Sequence, residues 1–322
     1  MPTRAPLYEE LRSQGVSRRG FLKFCAYMSS LMALPPGSTE AIAQALSTKP
    51  RPSVIWISVQ ECTGCSESLL RSFDPTLESL ILDSFSLDYH HVLQAAAGAA
   101  AEAARDRAIE QNWGKYVLIV DGSIPGKDSG ARSTTGGKSG LSLVRRAAQG
   151  AAVIASVGTC ASFGGIGAAA PNPSGAVGAA DVLGDLVATG KVTAPIVNVP
   201  GCPPIPEVIT GLLTYYLTYG AIPPLDDQRR PKLFYGRTVC DDCPRHPFLV
   251  GGNFAKSFDD DGARQGWCLK DLGCKGPITF NACTTVKWNQ GTSFPTLSGH
   301  GCLGCAEQSF WDRPGGFYTK PF

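Results

Sequence analysis

Charge is scarce in this chain. Only 17% of its 322 residues are Asp, Glu, Lys or Arg, and they nearly cancel at a formal net charge of +2. No basic stripe interleaved with aromatics is present, which leaves nucleic acid no footprint. No segment supplies the roughly 18 uninterrupted apolar residues of a membrane span, so the mature chain is expected not to cross a bilayer. A phosphate loop is missing too. "ARSTTGGKS" (131–139) approaches G-x-x-x-x-G-K-[ST], but the first glycine of that pattern falls on Arg132, and the stretch reads instead as a flexible loop open to a partner.

What the chain does have is apolar content, 43%, sufficient for a buried core, together with 37 Gly and 12 Cys. Its N-terminus carries a processing signature. "SRRGFLK" (17–23) has the form of a twin-arginine export motif around Arg18 and Arg19, followed by "FCAYMSSLMAL" (24–34) and by "EAIAQA" (40–45), which offers cleavage after Ala43 or Ala45. The competing reading is an ordinary amphipathic N-terminal helix. On the export reading, residues 1–45 are a signal peptide and the destination is the periplasm.

Cysteine arithmetic follows. Setting Cys25 aside with the signal leaves eleven, at 62, 65, 160, 202, 240, 243, 268, 274, 283, 302 and 305. An odd number cannot pair completely, so at least one thiol must do something other than form a disulfide. Cys62/Cys65, Cys240/Cys243 and Cys302/Cys305 are C-x-x-C pairs, a spacing that turns two sulfurs toward one centre. Zinc and iron–sulfur clusters both use such pairs. Zinc ribbons are compact knuckles, whereas Cys62, Cys65, Cys160 and Cys202 are dispersed and each follows a strand-like run, which favours clusters.

Strand and helix signals alternate through the first half. "PSVIWISV" (52–59), "KYVLIVDGSIP" (115–125), "AAVIASV" (151–157) and "APIVNVP" (194–200) read as buried strands; "GLSLVRRAAQ" (140–149) and "GAADVLGDLVATG" (178–190) read as helices, as does the segment after Cys202. The Ala-rich stretch 93–104 reads as a closely packed helix, and "GTCASFGG" (158–165) as a Gly-rich loop. This order predicts an α/β, flavodoxin-like, doubly wound parallel sheet over 46–225, with ligands at the carboxyl ends of its strands. "IPPLDDQRRPKL" (222–233) marks a connection. Beyond it, 226–322 holds seven Cys and little periodicity, a small irregular domain that needs inorganic staples.

These motifs resemble the small, electron-transferring subunit of nickel–iron hydrogenases from about residue 52 onward: "ECTGCSES" (61–68), "GTCASFGG" (158–165), "VPGCPP" (199–204), "CLKDLGCKGP" (268–277), "WNQGTSFP" (288–295) and "SGHGCLGCAEQSFWD" (298–312). The resemblance implies an electron relay between a large subunit, which carries the nickel–iron centre and splits H2, and a c-type or membrane b-type cytochrome. It implies export in the folded state with clusters inserted and the large subunit as a passenger. By motif, Cys62, Cys65, Cys160 and Cys202 match the ligands of a proximal [4Fe–4S] cluster, and Cys283, Cys302 and Cys305 those of a medial [3Fe–4S] cluster, Pro295 standing where a fourth cysteine would be. Cys240, Cys243, Cys268 and Cys274 match a distal [4Fe–4S] cluster with one departure: Cys240 occupies the position where relatives usually place His. His246 is the alternative ligand at that site, though its spacing is wrong. Oxygen-tolerant relatives add cysteines at two positions that are Gly64 and Gly165 here, so a standard proximal cluster is expected. Relatives bound to membranes continue into an anchoring helix, whereas this sequence closes on "GGFYTKPF".

Glu61 matches the family's acid beside the proximal cluster, with a proton role and a plain helix-start role both open. His300 reads as structural, and Asp121 carries no assignment. Two rivals stand beside the relay: the related subunit of quinone-reducing complexes, which shares only the first domain, and a disulfide-stapled secreted binding protein.

Overall fold

The computed structural model describes residues 17–48, 51–72, 85–308 and 310–312. The polar opening before Ser17 and the closing "GGFYTKPF" lie outside them.

Five strands form one sheet: β1 (Ser53–Ser58), β2 (Ser86–His90), β3 (Tyr116–Asp121), β4 (Ala151–Val157) and β5 (Ile196–Val199), in the order β2-β1-β3-β4-β5 with every pairing parallel. This is the flavodoxin-like order, with its switch point between β1 and β3. All residues of β1, β3 and β5 are buried, as parallel strands covered on both faces require. Alternation divides the strands cleanly. Val54, Trp56, Val117, Ile119, Val153, Val197 and Val199 face one apolar cluster, while Ile55, Ile57, Leu118, Val120, Ile154 and Ile196 face the other.

The helices needed here are α1 (Arg18–Leu31), α2 (Ser38–Thr48), α3 (Gly64–Leu70), α4 (Gly98–Gln111), α5 (Gly140–Ala148), α6 (Gly158–Phe163), α7 (Ala179–Ala188) and α8 (Pro206–Tyr219). α4, α5 and α7 cover the second face, where Ile109, Val144 and Leu183 are buried. α8 covers the first. It is buried on almost every side, because the sheet lies under it and α2 over it. Its threonines therefore satisfy their hydroxyls inside the helix, as Thr218 does on the Thr214 carbonyl at 2.7 Å.

α1 buries Phe21, Phe24, Cys25 and Met28, at the i, i+3, i+4, i+7 spacing of an amphipathic face, while Arg18 and Arg19 stay exposed. Ser17 caps it by accepting the Gly20 amide at 3.1 Å. The export-like segment thus folds as an amphipathic helix joined to the main core. Among the described residues no helix is long and apolar enough to cross a membrane.

Two local expectations change. "GTCASF" forms α6 instead of a loop, one and a half turns directly after β4. Residues 131–139 are a tight hairpin, Thr134–Thr135 against Lys138–Ser139, and Ser139 caps α5 on the Ser142 amide. The connection at 222–233 is fixed in place: Asn198 donates to the Arg229 carbonyl at 2.9 Å, and buried Arg230 bonds Asp226 at 2.7 Å and Glu307 at 2.9 Å. Beyond it the chain has short helical turns such as His246–Val250 and Asp261–Arg264, and it shares the first apolar cluster through Val239, Leu269 and Phe294.

Candidate metal centres

Because β1, β3, β4 and β5 are parallel neighbours, their carboxyl ends share one edge. The loops there carry Glu61, Cys62 and Cys65 after β1, Asp121 at the end of β3, Cys160 in α6 after β4, and Cys202 after β5. Cys62 and Cys202 are exposed, Cys65 is buried and Cys160 lies between. These thiols feel one another electrically. Burial pushes the Cys202 pKa up to about 12, with the charges of Cys305, Cys160 and Cys62 adding to it. Burial also raises Cys65 and Cys160, again reinforced by neighbouring thiols. Two glycines leave the room these sulfurs occupy: a Cβ at Gly158 would stand 2.5 Å from the Cys65 sulfur, and one at Gly165 2.5 Å from that of Cys160.

Glu61 accepts the Thr63 amide at the start of α3, the helix-start role. It also lies near Asp121, which is 1% exposed and has one carboxylate oxygen without a partner. Burial first, and the charge of Glu61 second, push Asp121 up to about 7. The sequence alone assigns Asp121 nothing. The signal that could have found it is positional, a carboxylate ending a strand that neighbours the C-x-x-C strand.

A second group gathers in the irregular segment. Cys240, Cys243, Cys268 and Cys274 line one small cavity with Arg245, His246 and Lys270. Burial and the other thiols raise Cys240 to about 11. His246 Nδ1 sits 2.8 Å from the Cys240 carbonyl and 3.8 Å from its sulfur. That ring nitrogen therefore carries its proton toward the backbone. Arg245 is held by its bonds to the carbonyls of Thr296, at 2.9 Å, and Trp267, at 2.7 Å.

The third group, Cys283, Cys302 and Cys305, lines a cavity of about 500 Å³ together with Pro295, Trp288 and Phe294, and Cys202 of the sheet edge reaches the same lining. Burial raises all three, Cys302 to about 12. His300 stacks on Phe258 at 5.6 Å and bonds its neighbour's carbonyl at 2.9 Å, a structural histidine as expected.

All twelve cysteines are free thiols. Among the described residues, no group of three or more His, Cys, Asp or Glu donors is gathered closely enough to hold a single metal ion. In the second and third groups the sulfurs line cavities instead of converging on a point, the arrangement a polynuclear group accepts and a mononuclear zinc site does not. Buried thiols whose charges repel one another call for cationic iron among them, which turns thiol to thiolate. The donor sets therefore fit iron–sulfur clusters.

Comparison with known proteins agrees. Residues 62–216 match the family described as "NADH ubiquinone oxidoreductase, 20 Kd subunit", and residues 235–318 match the C-terminal family of the NiFe/NiFeSe hydrogenase small subunit. The second match removes the one-domain rival. The chain is 48% identical over 313 residues to the uptake hydrogenase small subunit of Afipia carboxidovorans, covering 97% of this chain and 83% of that one. It is 46% identical over 313 residues to the hydrogenase-1 small chain of Escherichia coli K12, covering 97% and 82%. Among solved structures, the reduced, active Ni-Fe-Se hydrogenase of Desulfomicrobium baculatum superposes with a TM-score of 0.78 at 33% identity, covering 84% of this chain and 99% of that one.

Proposed function

This chain belongs to the small subunits of the NiFe/NiFeSe hydrogenases, and we propose that its eleven thiols outside α1 hold three iron–sulfur clusters in line. Membership makes it the electron-relay subunit of a heterodimer whose hydrogen-splitting centre belongs to the other subunit. One observation supports the cluster reading: the free thiols outside α1 gather at the sheet edge, around the small cavity and in the 500 Å³ cavity with Pro295, whose lining Cys202 of the sheet edge also joins. One-electron transfer is the chemistry such clusters supply when bound.

On this reading Cys62, Cys65, Cys160 and Cys202 hold a proximal [4Fe–4S] group, Cys283, Cys302 and Cys305 a medial [3Fe–4S] group, and Cys240, Cys243, Cys268 and Cys274 a distal [4Fe–4S] group. Pro295 offers the medial set neither thiolate nor N–H. Cys62 and Cys202, the exposed pair, mark the face on which the large subunit seats. Glu61, beside Asp121, stands where a proton can be passed at that face. The distal set delivers to a c-type or membrane b-type cytochrome. Exposed Arg18 and Arg19 support twin-arginine export to the periplasm, and the uptake hydrogenases among the relatives support H2 oxidation as the working direction.

Cys240 as a thiolate adds negative charge where imidazole would be neutral, which lowers the distal potential. His246 stands at the wrong spacing for the family's ligand, and its Nδ1 bond to the Cys240 carbonyl leaves only Nε2 to offer. The test is iron and acid-labile sulfide per heterodimer, with potentiometric EPR, on the wild type and Cys240→His, both anaerobic. About eleven iron atoms in the small subunit, the sum for two four-iron and one three-iron cluster, and an upward distal shift in the variant are expected. No iron, or zinc alone, refutes the clusters; an unmoved distal potential refutes the role of Cys240.

A further inference from the structure

The small cavity and the large one meet where residues 274–275 run beside residues 301–302. There the Cys302 amide donates to the Cys274 sulfur at 3.2 Å, and the Lys275 amide returns to the Cys302 carbonyl at 2.8 Å. A thiol of the small cavity thus takes its hydrogen bond from a residue whose own thiol lines the large one. Both cysteines are buried.

Gly301 is what lets the two segments come so close. A Cβ there would stand 2.9 Å from the Cys274 Cα, 3.0 Å from its Cβ and 3.1 Å from its amide nitrogen. Non-bonded carbons are comfortable at about 3.5–4.0 Å, and main-chain atoms cannot swing aside. Unlike Gly299 and Gly304, Gly301 does not adopt a positive φ. Glycine at this position therefore supplies close approach alone. The opposite segment is anchored: Thr279, 1% exposed, donates its hydroxyl to the Lys275 carbonyl at 2.7 Å, and the Ile278 amide bonds the same carbonyl at 3.1 Å. A side chain at 301 would accordingly push residues 301–302 away.

We propose that Gly301 is a positioning residue of the relay: by having no side chain it lets the Cys302 amide reach the Cys274 sulfur, a hydrogen bond that sets the potential of the distal group. The proposal rests on the cluster reading above. An N–H donated to a ligand sulfur stabilises the reduced, more electron-rich cluster and raises its reduction potential. Gly301→Ala keeps every thiol of the chain and draws that amide back from the sulfur.

The experiment uses the intact heterodimer, wild type and Gly301→Ala, both produced with cysteine deuterated at Cβ so that the ligands' own methylene protons leave the proton spectrum. Each is assayed for iron and sulfide, titrated potentiometrically, and measured by proton ENDOR of the reduced distal cluster. The expected result is full iron in both, a distal midpoint moved to more negative potential in Gly301→Ala, an unmoved proximal midpoint, and a distal N–H proton coupling that weakens in the variant. A fully loaded Gly301→Ala with an unmoved distal midpoint overturns the proposal. So does a proximal shift as large as the distal one, the mark of general loosening. A shifted distal midpoint with the coupling at wild-type strength also overturns it, because the shift then comes from a displaced Cys274. Should Gly301→Ala fail to load iron, the wild type decides: a strongly coupled N–H proton on its reduced distal cluster supports the bond, and the absence of one overturns it. A wild type without iron refutes the cluster reading itself, a separate outcome.

Discussion

Residues 53–219 and residues 232–312 solve the problem of holding thiols in opposite ways. The first region builds a five-stranded ladder and two apolar faces, and its cysteines ride on strand ends that the ladder already fixes. The second has short turns and isolated bridges, and three of its cysteines are themselves core: Cys274, Cys283 and Cys302 are buried within the shared apolar cluster, to which the sheet edge gives Cys65 alone. In the sheet region the fold positions the ligands. On the cluster reading, it is the joining of the thiols that positions the irregular region.

Stripping the iron should expose this contrast most strongly. Hydrogen exchange of the intact complex, before and after chelation under oxidising conditions, is expected to show complete loss of protection over 235–308 while β1, β3 and β4 stay protected. Equal loss in both regions would show that the sheet also needs its metal.

The joint between the regions comes next. Arg230 has 5% side-chain exposure and bonds Asp226 and Glu307, so Arg230→Met leaves two largely buried carboxylates without their cation. Removing one partner of a buried ion pair costs roughly 3–5 kcal/mol. Denaturant unfolding should show that loss, and proteolysis should then cut first near 226–232. A change under about 0.5 kcal/mol, the level of a surface substitution, would mean that the regions hold together without the pair.

A smaller effect belongs to the sheet region alone. Burial, aided by the charge of His91, holds His90 neutral with its pKa pushed down to about 4. The unfolded chain takes up that proton near 6.5. Stability from this group is therefore whole above pH 6.5 and is lost as pH falls through 4, because the unfolded state binds more protons over that window. Between pH 7 and pH 5 the loss is roughly 2 kcal/mol, read as the difference in unfolding free energy between the wild type and His90→Gln at the two values. Equal pH dependence in both proteins would show that His90 carries no linkage.

Much of the sheet was legible because buried parallel strands are unbroken apolar, β-branched runs, as in "VIWIS" and "YVLIV". β2, "SLDYH", was not: it is an edge strand, its first three residues half-exposed and its Ser86 and Asp88 bonded to each other. α6 hid behind glycines that bracket it with positive φ. The thiol groups were readable from spacing and motif, since C-x-x-C carries its meaning locally. Gly301, Asp121 and Arg230 were unreadable for the opposite reason. Each acts on partners that are distant in sequence, as Arg230 does on Glu307 and Gly301 on Cys274, and no local pattern announces such a meeting.

On the export reading, the docking of α1 and α2 on α8 gives the chain a clock. A cut after Ala43 or Ala45 falls inside α2, where Ala45 and Leu46 are buried. Such a bond is reached only when the helix opens locally, and when reclosing outpaces cutting, the rate of trimming follows the equilibrium population of the open form. If the chain is trimmed there, the grip of the Phe21, Phe24 and Met28 face on the core sets how long the N-terminus is kept, through affinity within the chain as much as through the protease that attacks it.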